Sequence, residues 1–218
     1  SRARRFVFFL VIRRPPIATL SSSSAASDVY KRQSGTAVWN LIKTYTASDD
    51  ANITFVQGTD GVDFSAYDMF IFKFINIHAA TDTANFEVNF RDEDTNYDAQ
   101  KTTHYFRAYH NEAGDSNAFG RKDDQDVANS TAVQNLAYQM GGDADACLSG
   151  ELKLWHPSST TYAKNFGSRV TYMHTSDEVH DAFMGGYMTQ DDPSKGIDGV
   201  QFTICLLYTS DAADEEDS

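Results

Sequence analysis

Residues 68–78 read DMFIFKFINIH. Phe70, Phe72 and Phe74 fall on one parity, and Met69, Ile71, Ile75 and Ile77 on the other. Successive side chains of a strand point to opposite faces, so this stretch is apolar on both. Such a strand belongs in the middle of a sheet that is covered on each side. The same period of two recurs along the chain. Phe86, Val88 and Phe90 alternate with Glu87, Asn89 and Arg91. Leu148, Leu152 and Leu154 alternate with Ser149, Glu151, Lys153 and Trp155, and Val200, Phe202 and Ile204 with Gln201 and Thr203. Each reads as a strand with one buried face.

Further strands are expected at residues 39–46, 52–57, 102–109, 162–173 and 180–189, separated by turn clusters such as QGTDG, EAGDSN, GGDAD, HPSST and DDPSKG. One segment departs from the pattern. Val133, Leu136, Ala137 and Met140 stand at helical spacing, after Thr131 and Gln134 as a capping box and before Gly141 as a stop. Residues 132–140 are therefore expected to form a single short helix. Many strands, one helix and no βαβ alternation predict an all-β protein, an antiparallel β-sandwich of jelly-roll type. Within it Trp39 and Leu41 are expected in the core, Cys147 as a small buried residue at a strand start, and Gly185 and Gly186 at a bulge.

The chain of 218 residues carries 18 Lys plus Arg against 31 Asp plus Glu, a formal net charge of −13. With 41% hydrophobic and 13% aromatic residues it is neither disordered nor collagen-like. The acidic balance argues against nucleic acid as a partner, since phosphate contacts need clustered Lys and Arg. Both ends read differently from the middle. Residues 23–33, SSAASDVYKRQ, are a codon-for-codon translation of a sequencing-library adapter. Residues 205–214, CLLYTSDAAD, translate its reverse complement in a shifted frame, and IRRPP at 12–16 matches a neighbouring adapter segment. Residues 1–33 are thus expected to be a non-native leader, 34–204 the β-sandwich domain and 205–218 a non-native tail. The leader is expected to pack poorly. CLLYTS is strand-prone by composition, so residues 205–209 are expected to extend the last strand. FVFFLVI after SRARR imitates a secretory signal, but seven apolar residues fall far short of the ~20 that span a bilayer. A membrane is not an expected partner. Residues 34–204 hold a single cysteine, Cys147, so no disulfide staples that part of the chain.

The best chemical candidate is RDEDTNYD at 91–98, where Asp92, Asp94, Asn96 and Asp98 stand at alternate positions. Calcium takes six to eight oxygen ligands, and this spacing resembles the start of an EF-hand loop. Tyr97 replaces the sharp-turn Gly and Thr103 the bidentate Glu, so a solvated acidic loop is the alternative. Calcium is the one cofactor the sequence suggests. No histidine pair has zinc spacing, and no nucleophile elbow, Walker loop or dinucleotide fingerprint occurs. Carboxylate pairs for glycoside hydrolysis can be nominated, Asp177 and Glu178 or Asp181, but nothing singles them out. No catalytic residue is assigned. Trp155 falls on the polar parity of its strand and is expected to face outward, with Tyr162 seven residues on, after HPSST. Exposed aromatics there could stack on a sugar ring or anchor a protein interface. Coverage of Trp155 by the turn itself is the alternative.

FKFINIHAATD (72–82), YFRAYHNEAG (105–114), LSGELKLWHPSSTTYAKNF (148–166) and the final GVQFTI resemble a family of virion structural proteins from marine tailed phages. HPSSTTY is the most distinctive piece. The resemblance implies a jelly-roll-like virion component on capsid or tail, assembling with other virion proteins and with copies of itself. It carries no catalytic residues. Two functions follow as expectations: a non-enzymatic virion structural or adhesin module, whose ligand would be a host-surface glycan, or a carbohydrate-binding or glycan-hydrolysing sandwich of an aquatic microbe.

Overall fold

The computed structural model describes residues 4–11, 39–47, 50–189 and 192–206. They form twelve strands: β1 (Arg4–Val11), β2 (Trp39–Ala47), β3 (Asn52–Val56), β4 (Met69–Ile77), β5 (Ala84–Arg91), β6 (Lys101–Asn111), β7 (Asn117–Arg121), β8 (Gln134–Met140), β9 (Leu148–Trp155), β10 (Lys164–His174), β11 (Glu178–Met188) and β12 (Gly199–Leu206). Every pairing is antiparallel. One layer runs β2-β1-β4-β9-β10-β11-β6-β7 and the other β8-β5-β12-β3. Among the described residues they join where Met140 pairs with His174, with the Gly141 N–H donating to the Met173 carbonyl and the Thr175 N–H to the Gln139 carbonyl.

The layers face each other through phenylalanines. Phe202 of β12 meets Phe72 and Phe74 of β4 at ring-centroid distances of 5.2 and 5.1 Å, and Phe90 of β5 meets Phe166 of β10 at 4.8 Å. These are edge-to-face contacts between strands that share no hydrogen bonds, which makes the fold a sandwich. Burying each such ring contributes about 1.5–3 kcal/mol. The alternation in β4, β9 and β12 therefore marks the real core: Phe70, Phe72, Phe74, Leu148, Leu152, Leu154, Val200 and Phe202 are all buried. In β5 Phe86, Val88 and Phe90 are buried too, but so are Asn85, Glu87 and Asn89, so that strand is covered on both faces and not on the one the sequence suggests. In β4 the other parity is mixed, with Ile71 buried and Ile75 exposed. The strand then bulges after Phe74, with Asn76 left-handed, and this brings Ile77 back into the core.

Four expectations are corrected. Residues 132–140 hold no helix; the only helical piece among the described residues is the single 3-10 turn Asp123–Gln125. β8 pairs with β5 through two register shifts, and Gln139 is left-handed. Those irregularities break the period of two, so that Gln134, Leu136, Ala137 and Met140 are buried in an irregular strand that mimics helical spacing. The side chain of Gln134 does not cap Thr131. It accepts from the Thr103 hydroxyl and donates to the carbonyl of Gln125, inside the sheet. Trp39 and Leu41 are 55% and 52% exposed, because β2 is an edge strand and the four-stranded layer is too narrow to cover an eight-stranded one. Cys147 is exposed: its neighbours Ala146 and Leu148 point inward, which turns it out. Gly185 and Gly186 sit in unbroken register with both neighbouring strands. A Cβ on Gly186 would come within 2.5 Å of the Thr102 carbonyl, so close backbone approach, and not a bulge, requires the glycine.

Arg4–Val11, within the expected leader, pairs with β2 on one side and β4 on the other, Phe6 opposite Phe74 and Phe8 opposite Phe72. Its run of aromatic and branched residues suits a strand whatever its origin. β12 continues through Cys205 and Leu206, opposite Asn85 and Ala84. The expectations for residues 12–33 and 207–218 lie outside the described residues.

Candidate functional site

Among the connections that cross between the layers, β5–β6 and β11–β12 meet at one end of the sandwich. Residues 92–100 carry the chain from β5 to β6, and the segment after β11 carries it back to β12. The β9–β10 turn, which contains HPSSTTY, lies beside them. A polar network ties the three together. Arg91 grips Asp198 with two hydrogen bonds of 2.8 Å, and the Glu93 N–H donates to the same carboxylate. That contact holds the guanidinium more firmly protonated than usual. The Gly196 N–H donates to Glu93 Oε1 at 2.8 Å, and the Ile197 N–H to the Pro157 carbonyl at 2.8 Å. Lys164, buried at the start of β10, donates to the Pro193 carbonyl at 2.8 Å, and its burial lowers its pKa.

Beside this network is an open cavity of ≈ 350 Å³ walled by Asp92, Asp94, Asp98, Gln100, Thr131, Thr189, Asp192 and Lys195. One oxygen from each of Asp92, Asp94 and Asp98 lies within 4.8 Å of the others. Burial raises the Asp92 pKa, and the like charges of Asp94 and Asp98 add to the rise. Lys195, 3.4 Å from Asp92 Oδ2, opposes it. Three of the four calcium ligands read from the sequence are thus brought together. The fourth, Asn96, does not line the cavity; its N–H donates to Asp94 Oδ1 at 2.7 Å and fixes the turn. Tyr97 packs near Gly199, and Thr103 is committed to Gln134 and the Val127 N–H, so neither completes an EF-hand. Gln100, Thr131, Thr189 and Asp192 escaped the sequence reading because three of them come from other segments.

Trp155, at the end of β9, is half-buried, its ring laid over Gly167 of the neighbouring strand. Tyr162 is 73% exposed, on a turn held by the Ser159 hydroxyl, which accepts from the N–H groups of Thr161 and Tyr162. His156, left-handed at the head of that turn, faces Asp68. The nominated carboxylates are not brought to this end. Asp181 is paired with Arg169, and Glu178 with His180. Three positions apart on one strand, Glu178 and Asp181 face opposite sides of the sheet.

At the other end lies a second titratable cluster. His174 and His180 stack with ring centroids 4.3 Å apart, and Glu178 Oε2 is 3.0 Å from His180 Nε2. The Tyr172 hydroxyl meets His180 Nδ1 at 3.1 Å. The Ser176 N–H donates to His174 Nδ1, while His174 Nε2 is buried with no hydrogen-bond partner. One ligand atom from each of His174, Glu178 and His180 lies within 4.8 Å of the others, although the two imidazole rings are nearly parallel.

No family model, curated protein or solved structure matches the chain. Among the described residues no helix is long and apolar enough to cross a membrane.

Proposed function

We propose that the protein is a non-enzymatic binding and assembly module of a phage virion, jelly-roll-like in its connections, that works with other virion proteins and with copies of itself. The observation that carries the reading is the convergence of the β5–β6 and β11–β12 crossings and the HPSSTTY turn at one end of the sandwich, with Tyr162 displayed on its rim. A rigid sandwich that gathers its polar loops at one end has the form of a presenting surface. The resemblance of residues 39–204 to virion proteins supplies the setting, and a net charge of −13 suits a particle component that stays soluble until assembly. The ligand class favoured at the rim is a host-surface glycan, whose ring faces stack on exposed aromatics. A carbohydrate-binding domain of an aquatic microbe would use the same rim.

Binding of the purified protein to host cells and to a panel of surface polysaccharides tests the proposal. Tyr162→Ala should abolish most binding without lowering the melting temperature, and Trp155→Ala should weaken it. Hydrolysis of a polysaccharide by the purified protein, lost on substituting one carboxylate, would overturn it.

A further inference from the structure

We propose that Lys101 and Asn89 join in an amide bond, made by the folded chain itself, that ties β5 of one layer to β6 of the other. Lys101 opens β6 and is fully buried. Its Nζ donates to Asn89 Oδ1 at 2.7 Å, and to the carbonyls of Ala99 and Thr131 at 3.2 and 3.4 Å. All three partners are neutral oxygens. Among the described residues no carboxylate forms an ion pair with Lys101. A buried ammonium without a counter-ion is costly, and acylation removes the charge altogether. Burial lowers the Lys101 pKa to about 8, against the pull of Asp98, so roughly a tenth of these amines are uncharged at pH 7.

The carboxamide is held for attack. Asn89 is 7% exposed; its Oδ1 also accepts from the Phe90 N–H at 3.0 Å, and its Nδ2 donates to the Thr131 carbonyl at 3.2 Å. Those bonds fix which end of the carboxamide faces the amine. A carbonyl bond is about 1.2 Å long, so Cγ lies within about 3.9 Å of Nζ, near the ~3–3.5 Å of reacting atoms. In the step the Nζ lone pair forms a bond to Cγ, and the Cγ–Nδ2 bond breaks. One Nζ proton ends on Nδ2, which leaves as ammonia; nothing is oxidised or reduced. The Phe90 N–H stays on Oδ1 while that oxygen takes up negative charge. Glu87, two positions before Asn89 and therefore on the same face of β5, is the carboxyl that carries the proton. It is buried, and burial raises its pKa against a hydrogen bond from Asn85. The new bond closes a ring across the β5–β6 crossing, so the layers cannot be drawn apart there without breaking a covalent link.

The test is the intact mass of the full, folded chain after incubation at pH 7 and at pH 9. The mass should fall below that of the sequence by one ammonia, sooner at pH 9, where the amine is uncharged. Trypsin should then release one branched species, in which the peptide ending at Arg91 is joined to the one beginning at Asp92 and cleavage after Lys101 is blocked. Lys101→Met should lose no ammonia. Glu87→Gln should slow the loss by about a hundredfold or more in a chain that still melts cooperatively. An unsubstituted chain that keeps its full mass at both pH values and is cut after Lys101 would overturn the proposal, and that measurement needs no variant to fold. So would an equal loss of ammonia from Lys101→Met, which would place the chemistry elsewhere.

Discussion

Acid should loosen this protein through one histidine. His174 lies 7% exposed at the end of β10, stacked on fully buried His180. Burial pushes its imidazole down to about 4, with the His180 ring next in effect; Arg107 pushes the same way and Glu178 pulls back. Burial lowers His180 as well, against the pull of Glu178. The Tyr172 hydroxyl and the Tyr109 ring, which also contact His180, bring no further charge to oppose this. A histidine whose folded pKa is depressed contributes its full stability above the unfolded value of about 6.5 and loses it as pH falls toward the folded one. Between pH 7 and pH 5 the loss from His174 alone is about 2 kcal/mol, as the unfolded chain takes a proton that the folded chain refuses. Glu178, whose pKa is lowered by the His180 contact, stays ionised through that window, while buried Glu87 and Asp92, both raised, act in the opposite sense. Comparison with His174→Phe isolates the histidine. Phenylalanine keeps the stack and deletes the unpartnered nitrogen, and the exposed Ser176 N–H can turn to water. Urea unfolding at pH 7, 6 and 5 should give a difference between the two proteins that grows toward acid by about 2 kcal/mol. Parallel stability curves across that range would refute the reasoning.

Phe202→Ala should cost about 3–5 kcal/mol, because the ring touches Phe55, Phe72, Phe74 and Phe86 across both layers; urea unfolding that finds less than about 1 kcal/mol would mean that the layers are not packed as described. Gly150→Ala should destabilise by about 1–3 kcal/mol, since its Cβ would collide with the Arg169 carbonyl and lie 2.7 Å from Val170 Cα, whereas Gly120→Ala, with nothing within 4 Å, should be neutral or mildly stabilising. Thermal melts of the two alanine variants, run side by side, check that contrast.

The alternation that marks β4, β5, β9 and β12 is a property of each strand alone, so the sequence by itself determined that the protein is an antiparallel sandwich and which phenylalanines fill it. It also determined that Asp92, Asp94 and Asp98 share one loop. Pairing decided the rest. β8 looks helical until its neighbour β5 imposes register shifts, and no pattern within residues 132–140 encodes the strand beside it. Trp39 reads as core because apolar character is local, whereas its exposure follows from the unequal widths of the layers. The same holds for chemistry. Asp192 stands about ninety residues from the acidic loop, and His174 meets His180 through a hairpin, so which oxygens share a cavity and which rings share a stack depend on how crossings and turns close. Side-chain period is written in a few consecutive residues. Proximity across a sandwich is fixed only when every strand has found its partner, and that is where this protein keeps its cavity and its buried histidines.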